Sequence, residues 1–347
     1  MYERARNAGP LKVVQVLLSP RIGGAESLAA ALDEHWRGSA ISTATVYLDE
    51  SSGAPPSRLH RIMRLRSALR RLRPDVVLAH SALPNLYARI AAPASTPVVT
   101  VLHSASDDFR GLAMRTVEWI LKRRTAFVVA VSKTQEEQYI GYFGTSTPIR
   151  VIPNGIRADI RTKANASEQL RSLVTVARIA HQKNPDLWIK VATRVDASEP
   201  QVSMTWYGPR TSDDGVSDLV EGFESSLSRF AGPTNDPASV LAGSDALFHP
   251  ANREAHSIGV LEAAAAGLPV ICSLAVAETL PPQVVAITFE TGSVESAEAS
   301  IWELERKWNI YSNRAIEMAA LIRDEFSIAN CADSYFDTFQ RVVAARR

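Results

Sequence analysis

Residues 12–26 of the chain are KVVQVLLSPRIGGAE, a segment with clear signs of local structure. Residues 12–18 are a nearly continuous apolar run, typical of a parallel strand that is covered on both faces. Two adjacent glycines, Gly23 and Gly24, close the turn that follows, and an amphipathic helix is predicted over 25–36. A buried strand, a glycine turn and a helix in this order predict a doubly wound α/β unit.

The same alternation of short β-branched runs and helical segments continues along the chain. Strands are predicted at 41–47, 75–79, 97–102, 126–131, 149–152, 173–177, 201–207, 227–231, 245–248, 269–272 and 284–288. A polar stretch from PNGI (153–156) to about Leu170 is typical of a linker, and from about 294 the chain is predicted to be helical to its end, with a break near Ser327. We therefore expect two tandem Rossmann-like domains, over 1–156 and 157–326, and a C-terminal helix over 327–347.

Composition excludes several classes of protein. The chain has 347 residues, 46% hydrophobic and 22% charged, with a net charge of +1, so neither a disordered chain nor a nucleic-acid partner is expected. Cys272 and Cys331 are too few for a disulfide framework or a zinc site. The first residues contain no apolar signal segment, and Glu262 and Pro269 interrupt the most apolar stretch, 259–277. The expected location is the cytoplasm.

Two segments at predicted strand ends suit a phosphate group. The glycines of SPRIGGAE (19–26) allow close backbone approach at the positive end of a helix. Arg178 and Lys183 in VARIAHQKNPDL (176–187) place two cations beside a helix start, which Asn184–Pro185 marks. A structural turn and a solvated basic loop explain the same residues. Because dinucleotide and Walker A motifs are absent, neither segment alone identifies a ligand.

The most informative segment is HPANREAHSIGVLEAAAAGLPVICS, residues 249–273. A strand ends at Pro250, a polar loop carries Glu254, and a helix begins near Ser257 with Glu262 inside it. A carboxylate among Ala, Leu and Val on a helix that packs on a sheet is costly to bury unless a ligand or partner satisfies it. An exposed Glu262 would explain the helix alone and would leave the loop unexplained.

Glu254 and Glu262, in a Glu-x7-Glu spacing followed by AAAAGLPVI, resemble the signature of a large family of retaining nucleotide-sugar glycosyltransferases with the GT-B fold. That family includes bacterial mannosyltransferases, lipopolysaccharide and capsule glucosyltransferases, and sucrose synthase. Further motifs stand in the family's order, over nearly the whole chain: GGAE (23–26), VTVLHS with His103, VSKTQ (131–135), VIPNGI (151–156), ARIAHQKNP (177–185), WYGP (206–209) and FAGPTND (230–236). The resemblance implies two Rossmann-like domains facing across a cleft, the first for the acceptor and the second for the nucleotide sugar, with the C-terminal helix returning to the first.

The resemblance also implies roles for the matching residues. Arg178 and Lys183 would neutralise the donor diphosphate, Glu254 would bind hydroxyls of the donor sugar, and His103 would lie near the reacting sugar. Glu262 would bind the ribose hydroxyls. The remaining donor contacts would come from glycines of the first domain, a loop at the nucleobase and the backbone around Glu254: Gly23, Gly24, Gly232, Pro233, His256, Ser257 and Ile258.

One departure from the family concerns the loop after Glu254. The family often has Gly and an aromatic residue there, whereas this chain has Ala255 and His256, which leaves the sugar specificity open. The chain has no Asp-x-Asp motif, and the pairs Asp107–Asp108 and Asp213–Asp214 are interpreted as loop and cap residues. The absent motif therefore leads us to expect no metal or other cofactor. The resemblance implies front-face attack, in which the leaving phosphate accepts the acceptor's proton.

Residues 58–73 (RLHRIMRLRSALRRLR) contain seven arginines around an apolar stripe formed by Ile62, Leu65, Leu69 and Leu72. An ordinary surface helix explains this pattern. Docking on anionic lipid headgroups also explains it and would suit a lipid-linked acceptor, with residues 122–124 extending the basic patch.

Two other functions remain open at this point. A sugar-nucleotide 2-epimerase uses the same double-Rossmann plan, although it would need acid/base carboxylates in the cleft. A non-catalytic nucleotide-sugar-binding protein is the second alternative. The prediction carried forward is a hexosyl transfer from a nucleotide diphosphate sugar, with uridine diphosphate as the expected carrier, to a glycan or lipid-linked acceptor.

Overall fold

The computed structural model describes residues 10–20, 23–49, 56–103, 109, 111–210 and 214–346. In this part of the chain the strands are β1 Leu11–Leu17, β2 Ile41–Tyr47, β3 Val76–His80, β4 Val98–Leu102, β5 Phe127–Ala130, β6 Ile149–Val151, β7 Ser172–Val176, β8 Ser203–Tyr207, β9 Arg229–Gly232, β10 Ala246–His249, β11 Val270–Ser273 and β12 Ala286–Phe289. The helices are α1 Gly24–Trp36, α2 Arg58–Leu72, α3 Ala82–Ala91, α4 Leu112–Leu121, α5 Lys133–Phe143, α6 Pro185–Asp196, α7 Asp214–Glu221, α8 Pro237–Ala242, α9 Ile258–Ala265, α10 Leu274–Ala277, α11 Val294–Arg306, α12 Trp308–Glu325 and α13 Ile328–Ala344.

The chain divides into two compact units, each built on one six-stranded parallel sheet. The first unit is Met1–Gly155 with Ile328–Arg347, and the second is Ile156–Ser327. The sheet orders are β2-β1-β3-β4-β5-β6 and β12-β11-β10-β7-β8-β9. Each predicted strand has its counterpart in these sheets, because buried parallel strands are apolar over their whole length and are therefore visible in the sequence. The predicted α/β fold with two Rossmann-like sheets is confirmed.

In the first unit, helices cover both faces of the sheet. Helix α2 packs against α3 and α3 against α4, so these three form one helical layer, whereas α1 packs against the terminal helix α13. The rings of Trp36 and Phe339 meet at a centroid distance of 5.8 Å across the α1–α13 contact. The terminal helix therefore belongs to the first unit, as the predicted fold requires.

In the second unit, α9 is the most deeply buried helix. Residues 260–266, which end in the run of small alanine side chains over 263–266, are buried, and the helix packs against α12 and against the sheet. Gly259 approaches the sheet so closely that a Cβ atom there would lie 2.7 Å from the carbonyl oxygen of Val176. Close packing fixes the start of α9 beside the end of β7, where the sequence predicts the basic pair.

Two sequence predictions need correction. The polar stretch 157–170 is not a free linker, because it packs on the second unit: the backbone N–H of Lys163 donates to Ala266 O at 3.0 Å, and Ser167 donates to Asp245 at 2.6 Å. The helix predicted from 294 also breaks at Lys307, whose φ of −110° leaves the helical region. There the indole of Trp308 is buried and donates to the Ser167 carbonyl at 2.7 Å.

Over the described ranges, none of the helices has the length and apolar character needed to cross a bilayer.

Candidate functional site

Two loops at the carboxyl ends of the neighbouring strands β7 and β10 are tied together by hydrogen bonds. The backbone N–H of Asn252 donates to Gln182 O at 2.9 Å, and the Gln182 amide donates to Arg253 O at 3.0 Å. The amide of Asn184, which caps α6, donates to Asn252 Oδ1 at 3.0 Å. Ligands of parallel α/β sheets bind at this edge, so the loops are placed where a binding site is expected.

The tied loops bring Lys183 and Glu254 into contact. Lys183 Nζ forms an ion pair with Glu254 Oε1, and His249 Nε2 lies 2.8 Å from the same oxygen. Burial alone would raise the pKa of Glu254, but the charge of Lys183 and the hydrogen bond from His249 outweigh it and hold that pKa at about 2. Burial lowers the pKa of His249. At neutral pH the cluster therefore contains a fixed carboxylate, a Lys side chain and an uncharged imidazole.

Glu262 lies inside α9 with 5% of its surface exposed. The backbone N–H of Arg157 donates to its carboxyl group, while Oε1 has no hydrogen-bond partner among the described residues. Burial raises the pKa of Glu262 to about 7, and the charge of Arg157 offsets only part of that effect. A buried carboxyl oxygen without a partner is rare in folded proteins, so Glu262 is a candidate acceptor for a ligand's hydrogen-bond donor.

The other predicted donor contacts of the second unit lie at strand and helix ends. Arg178 is exposed just after β7, and Ser257 is the N-cap of α9, so that Ile258 is its first residue. Gly232 ends β9 at a φ of +79°, a left-handed conformation that favours glycine, and Pro233 after it is exposed.

His256 occupies the position at which the sequence departs from the family pattern. Its ring is buried and lies 5.8 Å from the ring of Phe326. Burial lowers its pKa to about 4, so the side chain is uncharged at neutral pH. His256 is therefore a buried, uncharged ring two residues after Glu254.

Three predicted residues belong to the first unit. Gly23 is the N-cap of α1 and Gly24 is its first residue, so both lie beyond the carboxyl end of β1. His103 directly follows β4, and its Nε2 lies 3.0 Å from His80 Nδ1. Burial lowers the pKa of His103 to about 4. All three are at strand ends, as the sequence predicts.

The sequence also contains two pairs of adjacent aspartates, Asp107–Asp108 and Asp213–Asp214. Asp107, Asp108 and Asp213 lie outside the described residues, and Asp214 is the first residue of α7. Within the described part of the chain, no group of three or more His, Cys, Asp and Glu side chains is arranged to hold a metal ion.

Several residues of these sites are not indicated by any of the sequence motifs: Gln15, His80, His249 and Asn252. His249 is the last residue of a buried strand, and Asn252 lies in a loop. Neither position by itself indicates a functional side chain. Gln15 and His80 are single polar residues within apolar strands, and one polar residue does not change the strand prediction. A polar side chain in an otherwise apolar parallel strand is the signal that would have found the last two, since burial there requires a partner.

Comparison with known proteins bears on the family and the fold. Residues 22–160 match the family model described as Glycosyltransferase Family 4, and residues 156–320 match Glycosyl transferases group 1. The structure of Anabaena HepE in complex with UDP and glucose is similar with a TM-score of 0.79 and 17% identity, covering 95% of this chain and 100% of that one.

Two further solved structures have the same fold. A glycosyltransferase of Rickettsia africae has a TM-score of 0.76 at 13% identity, covering 97% of this chain and 99% of its own. Sucrose-phosphate synthase of Thermosynechococcus elongatus has a TM-score of 0.75 at 14% identity, covering 97% and 100%. A comparison with curated proteins found no match.

Proposed function

This chain is a glycosyltransferase of the GT-B type, and we propose that it transfers a hexose, with retention of anomeric configuration, from a UDP-sugar to a glycan or lipid-linked acceptor in cell-surface polysaccharide or glycoconjugate synthesis. The observation that carries the proposal is the cluster of Lys183, Glu254 and His249 on the same sheet edge as the buried, incompletely paired Glu262. UDP is the proposed carrier because similar structures hold UDP or UDP-glucose.

In the proposed complex the second unit binds the donor. Arg178 and Lys183 face the diphosphate, together with the N-terminal end of α9, whose free backbone N–H groups favour an anion. Glu254, held ionised by its neighbours, accepts hydrogen bonds from sugar hydroxyls. The unpaired Oε1 of Glu262 accepts from a ribose hydroxyl, and Gly232 and Pro233 border the base. Gly23 and Gly24 are the contacts that the first unit would make with the diphosphate.

In the proposed reaction the bond between the anomeric carbon and the leaving phosphate oxygen breaks while the acceptor oxygen bonds to the same face of that carbon. The acceptor's proton passes to the leaving phosphate oxygen, so no enzyme carboxylate forms a covalent bond. Negative charge develops on the diphosphate, and Arg178, Lys183 and the α9 start are positioned to stabilise it without a metal. Turnover that persists in excess EDTA would support this last point.

Incubation with a panel of nucleotide sugars and candidate acceptors, with the product anomer read by NMR, tests the proposal. Transfer with an unchanged anomeric configuration is expected, and inversion would contradict the retaining assignment. Interconversion of the sugar without transfer would identify an epimerase. Binding of UDP-sugars without turnover of any of them would identify a binding protein.

An anionic membrane surface is a further proposed partner. The exposed face of α2 supports this part of the proposal. Leu65 and Leu69 are buried, as the apolar stripe predicts. Leu59 and Met63 are exposed on the other side, where Arg66 and Arg70 are exposed as well. An outer helix face that combines exposed apolar and cationic side chains suits a layer of anionic headgroups.

The neighbouring helices extend this surface. Seven of the eleven exposed large hydrophobic side chains of the described residues lie on α2, α3 and α4: Leu59, Met63, Leu83, Ile90, Leu112, Trp119 and Ile120. Residues 58–124 contain thirteen basic and four acidic residues, a formal charge of +9 in a chain that carries +1. Arg124 does not extend the patch as predicted, because it donates to the Ala92 carbonyl at 2.7 Å, whereas Arg123 is exposed.

Co-sedimentation with vesicles tests the membrane part of the proposal. We expect binding to anionic vesicles to exceed binding to neutral ones, and to fall in Trp119→Ser and in the double variant Arg66→Ser/Arg70→Ser. Ile310→Ser removes a comparably exposed apolar side chain from the second unit and should leave binding unchanged. Equal, weak binding to both vesicle types would contradict this surface.

A further inference from the structure

A chain of hydrogen-bonded, mostly buried side chains leads through the first unit to His103. His80, at the end of β3, places Nδ1 3.0 Å from His103 Nε2 and Nε2 2.9 Å from Gln15 Oε1. Gln15, in β1, donates through Nε2 to Ala29 O at 3.0 Å and to Asp33 Oδ1 at 2.6 Å. The hydrogen bonds therefore connect an acidic group on α1, through two strand side chains, to the imidazole beyond β4.

The hydrogen bonds that connect Asp33, Gln15, His80 and His103 have one consistent direction. Ala29 O and the Asp33 carboxylate only accept, so the Gln15 amide must turn its NH2 group toward them and its oxygen toward His80. That oxygen accepts from His80 Nε2–H. Burial lowers the pKa of His80 well below 6.5, so its ring is neutral and Nδ1 carries a lone pair. This lone pair can accept only from His103 Nε2–H.

We infer that Asp33, Gln15 and His80 are positioning residues, which hold His103 as the Nε2–H tautomer and so present its Nδ1 as a hydrogen-bond acceptor to a substrate hydroxyl. The inference rests on the proposed function, which places His103 near the reacting sugar. His103 then discriminates between groups of the substrate, because a neutral imidazole with a bare Nδ1 accepts from a hydroxyl and repels the lone pairs of a carboxylate. The contacted group of the sugar is therefore a hydroxyl rather than an acid.

The burial of Gln15 and His80 indicates a role beyond packing in the core. Gln15 and His80 are 0% and 1% exposed between apolar strands, where valine or leucine would avoid the desolvation of polar groups. Such a network is tolerated when its members are satisfied, and it then fixes a single arrangement. Here the network ends at His103, which is partly exposed at the ligand-binding edge of the sheet.

NMR of the full-length protein labelled with 15N-histidine tests the inference without any need for activity. The chain has seven histidines, and the signals of His103 are identified by their loss in His103→Gln. We expect a protonated Nε2 and a bare Nδ1 at pH 7. In Gln15→Met, of similar size but with no acceptor for His80, we expect averaged nitrogen shifts, and kcat reduced about 10–100-fold, the range for a lost orienting partner, with little change in the donor KM.

Thr45→Val is the matched control, because the Thr45 hydroxyl donates to Asp33 at 2.9 Å and forms no hydrogen bond with Gln15, His80 or His103 among the described contacts. In this variant the His103 tautomer should not change. His80→Phe replaces Gln15→Met as the test variant if the latter does not give the wild-type circular dichroism spectrum. A wild-type His103 protonated on Nδ1, or an unchanged Nε2–H signal after loss of the acceptor, would overturn the inference. The expected tautomer in a protein that transfers no sugar would support the inference and contradict the proposed function instead.

Discussion

At the scale of single residues, the basic pair carries the first prediction. We expect Arg178→Ala and Lys183→Ala each to lower turnover 100-fold or more, because one well-placed donor to developing charge is worth roughly 2.7–4 kcal/mol. Lys183→Ala also removes an ionic partner of Glu254, so its donor KM should rise more than that of Arg178→Ala. Steady-state kinetics with the preferred donor measure both effects.

The control for the basic pair is Lys190→Ala, which removes a surface ion pair with Asp186 at 2.6 Å in α6. Exposed pairs of this kind contribute little to stability, and no contact with the donor is proposed for Lys190, so turnover should not change. Near-normal turnover in both Arg178→Ala and Lys183→Ala would contradict their assignment to the diphosphate.

Glu262, the proposed ribose contact, is expected to destabilise the protein when no ligand is bound. Burial raises its pKa to about 7 from the usual 4.5, so the folded chain retains a proton that the unfolded chain releases. The free energy of unfolding therefore falls as the pH rises from 4.5 through 7, by roughly 3 kcal/mol at pH 8. We expect Glu262→Gln to recover most of this loss at pH 8 and much less at pH 5, and to weaken UDP binding.

Thermal melting between pH 5 and pH 8, with and without UDP, measures both consequences of Glu262→Gln. The exposed Glu317, which pairs with Arg314, supplies the control Glu317→Gln, for which no pH-dependent gain is expected. A Glu262→Gln protein that gains no stability at pH 8, or that binds UDP as tightly as the wild type, would contradict the role given to this carboxyl group.

At the scale of elements, the close contact between α9 and β7 can be tested with a matched pair of glycines. Gly259→Ala places a methyl group against Val176 O, so α9 must shift, which should destabilise the second unit by about 1–3 kcal/mol. Because the start of α9 faces the proposed diphosphate site, UDP affinity should fall as well. At Gly215 in α7, an added methyl group would meet no atom of the described residues within 4 Å beyond its chain neighbours and its own helix backbone, and Gly215→Ala should stabilise by about 0.4–1 kcal/mol.

Urea unfolding and the thermal shift with UDP distinguish the two glycine variants. The prediction fails if Gly259→Ala is as stable as Gly215→Ala, since both add the same methyl group to a helix. A stable Gly259→Ala protein with weakened UDP binding would locate the effect at the α9 start rather than in the core.

The elements also show what a sequence can and cannot predict. Buried parallel strands and the α9 segment are visible because their apolar runs and small residues reflect local burial. The break at Lys307 lies beside the hydrogen bond from Trp308 to Ser167, a contact between distant parts of the chain. The pairing of Lys183 with Glu254 likewise spans 71 positions, and spacing within either motif contains no information about it. Distant contacts of this kind are decided by the fold.

At the scale of the whole molecule, the chain order of the two units predicts how separate pieces will fold. The second unit, Ile156–Ser327, is one continuous segment, whereas the first needs the terminal helix as well. Four large side chains of α13 are buried: Ile328, Tyr335, Phe339 and Val342. Each is worth about 1.5–3 kcal/mol, so together they approach the whole stability of a domain, about 5–15 kcal/mol.

We therefore expect a fragment of residues 156–327 to melt cooperatively by itself and to be stabilised by UDP, since the proposed base, ribose and diphosphate contacts lie mainly in it. A fragment of residues 1–155 should lack a cooperative melting transition and should regain one when 328–347 is joined to it through a flexible linker. Circular dichroism melting curves of the three fragments measure this. Because α13 covers α1, a fragment of residues 1–155 that melts as sharply without the terminal helix as with it would contradict the energetic role given to that contact.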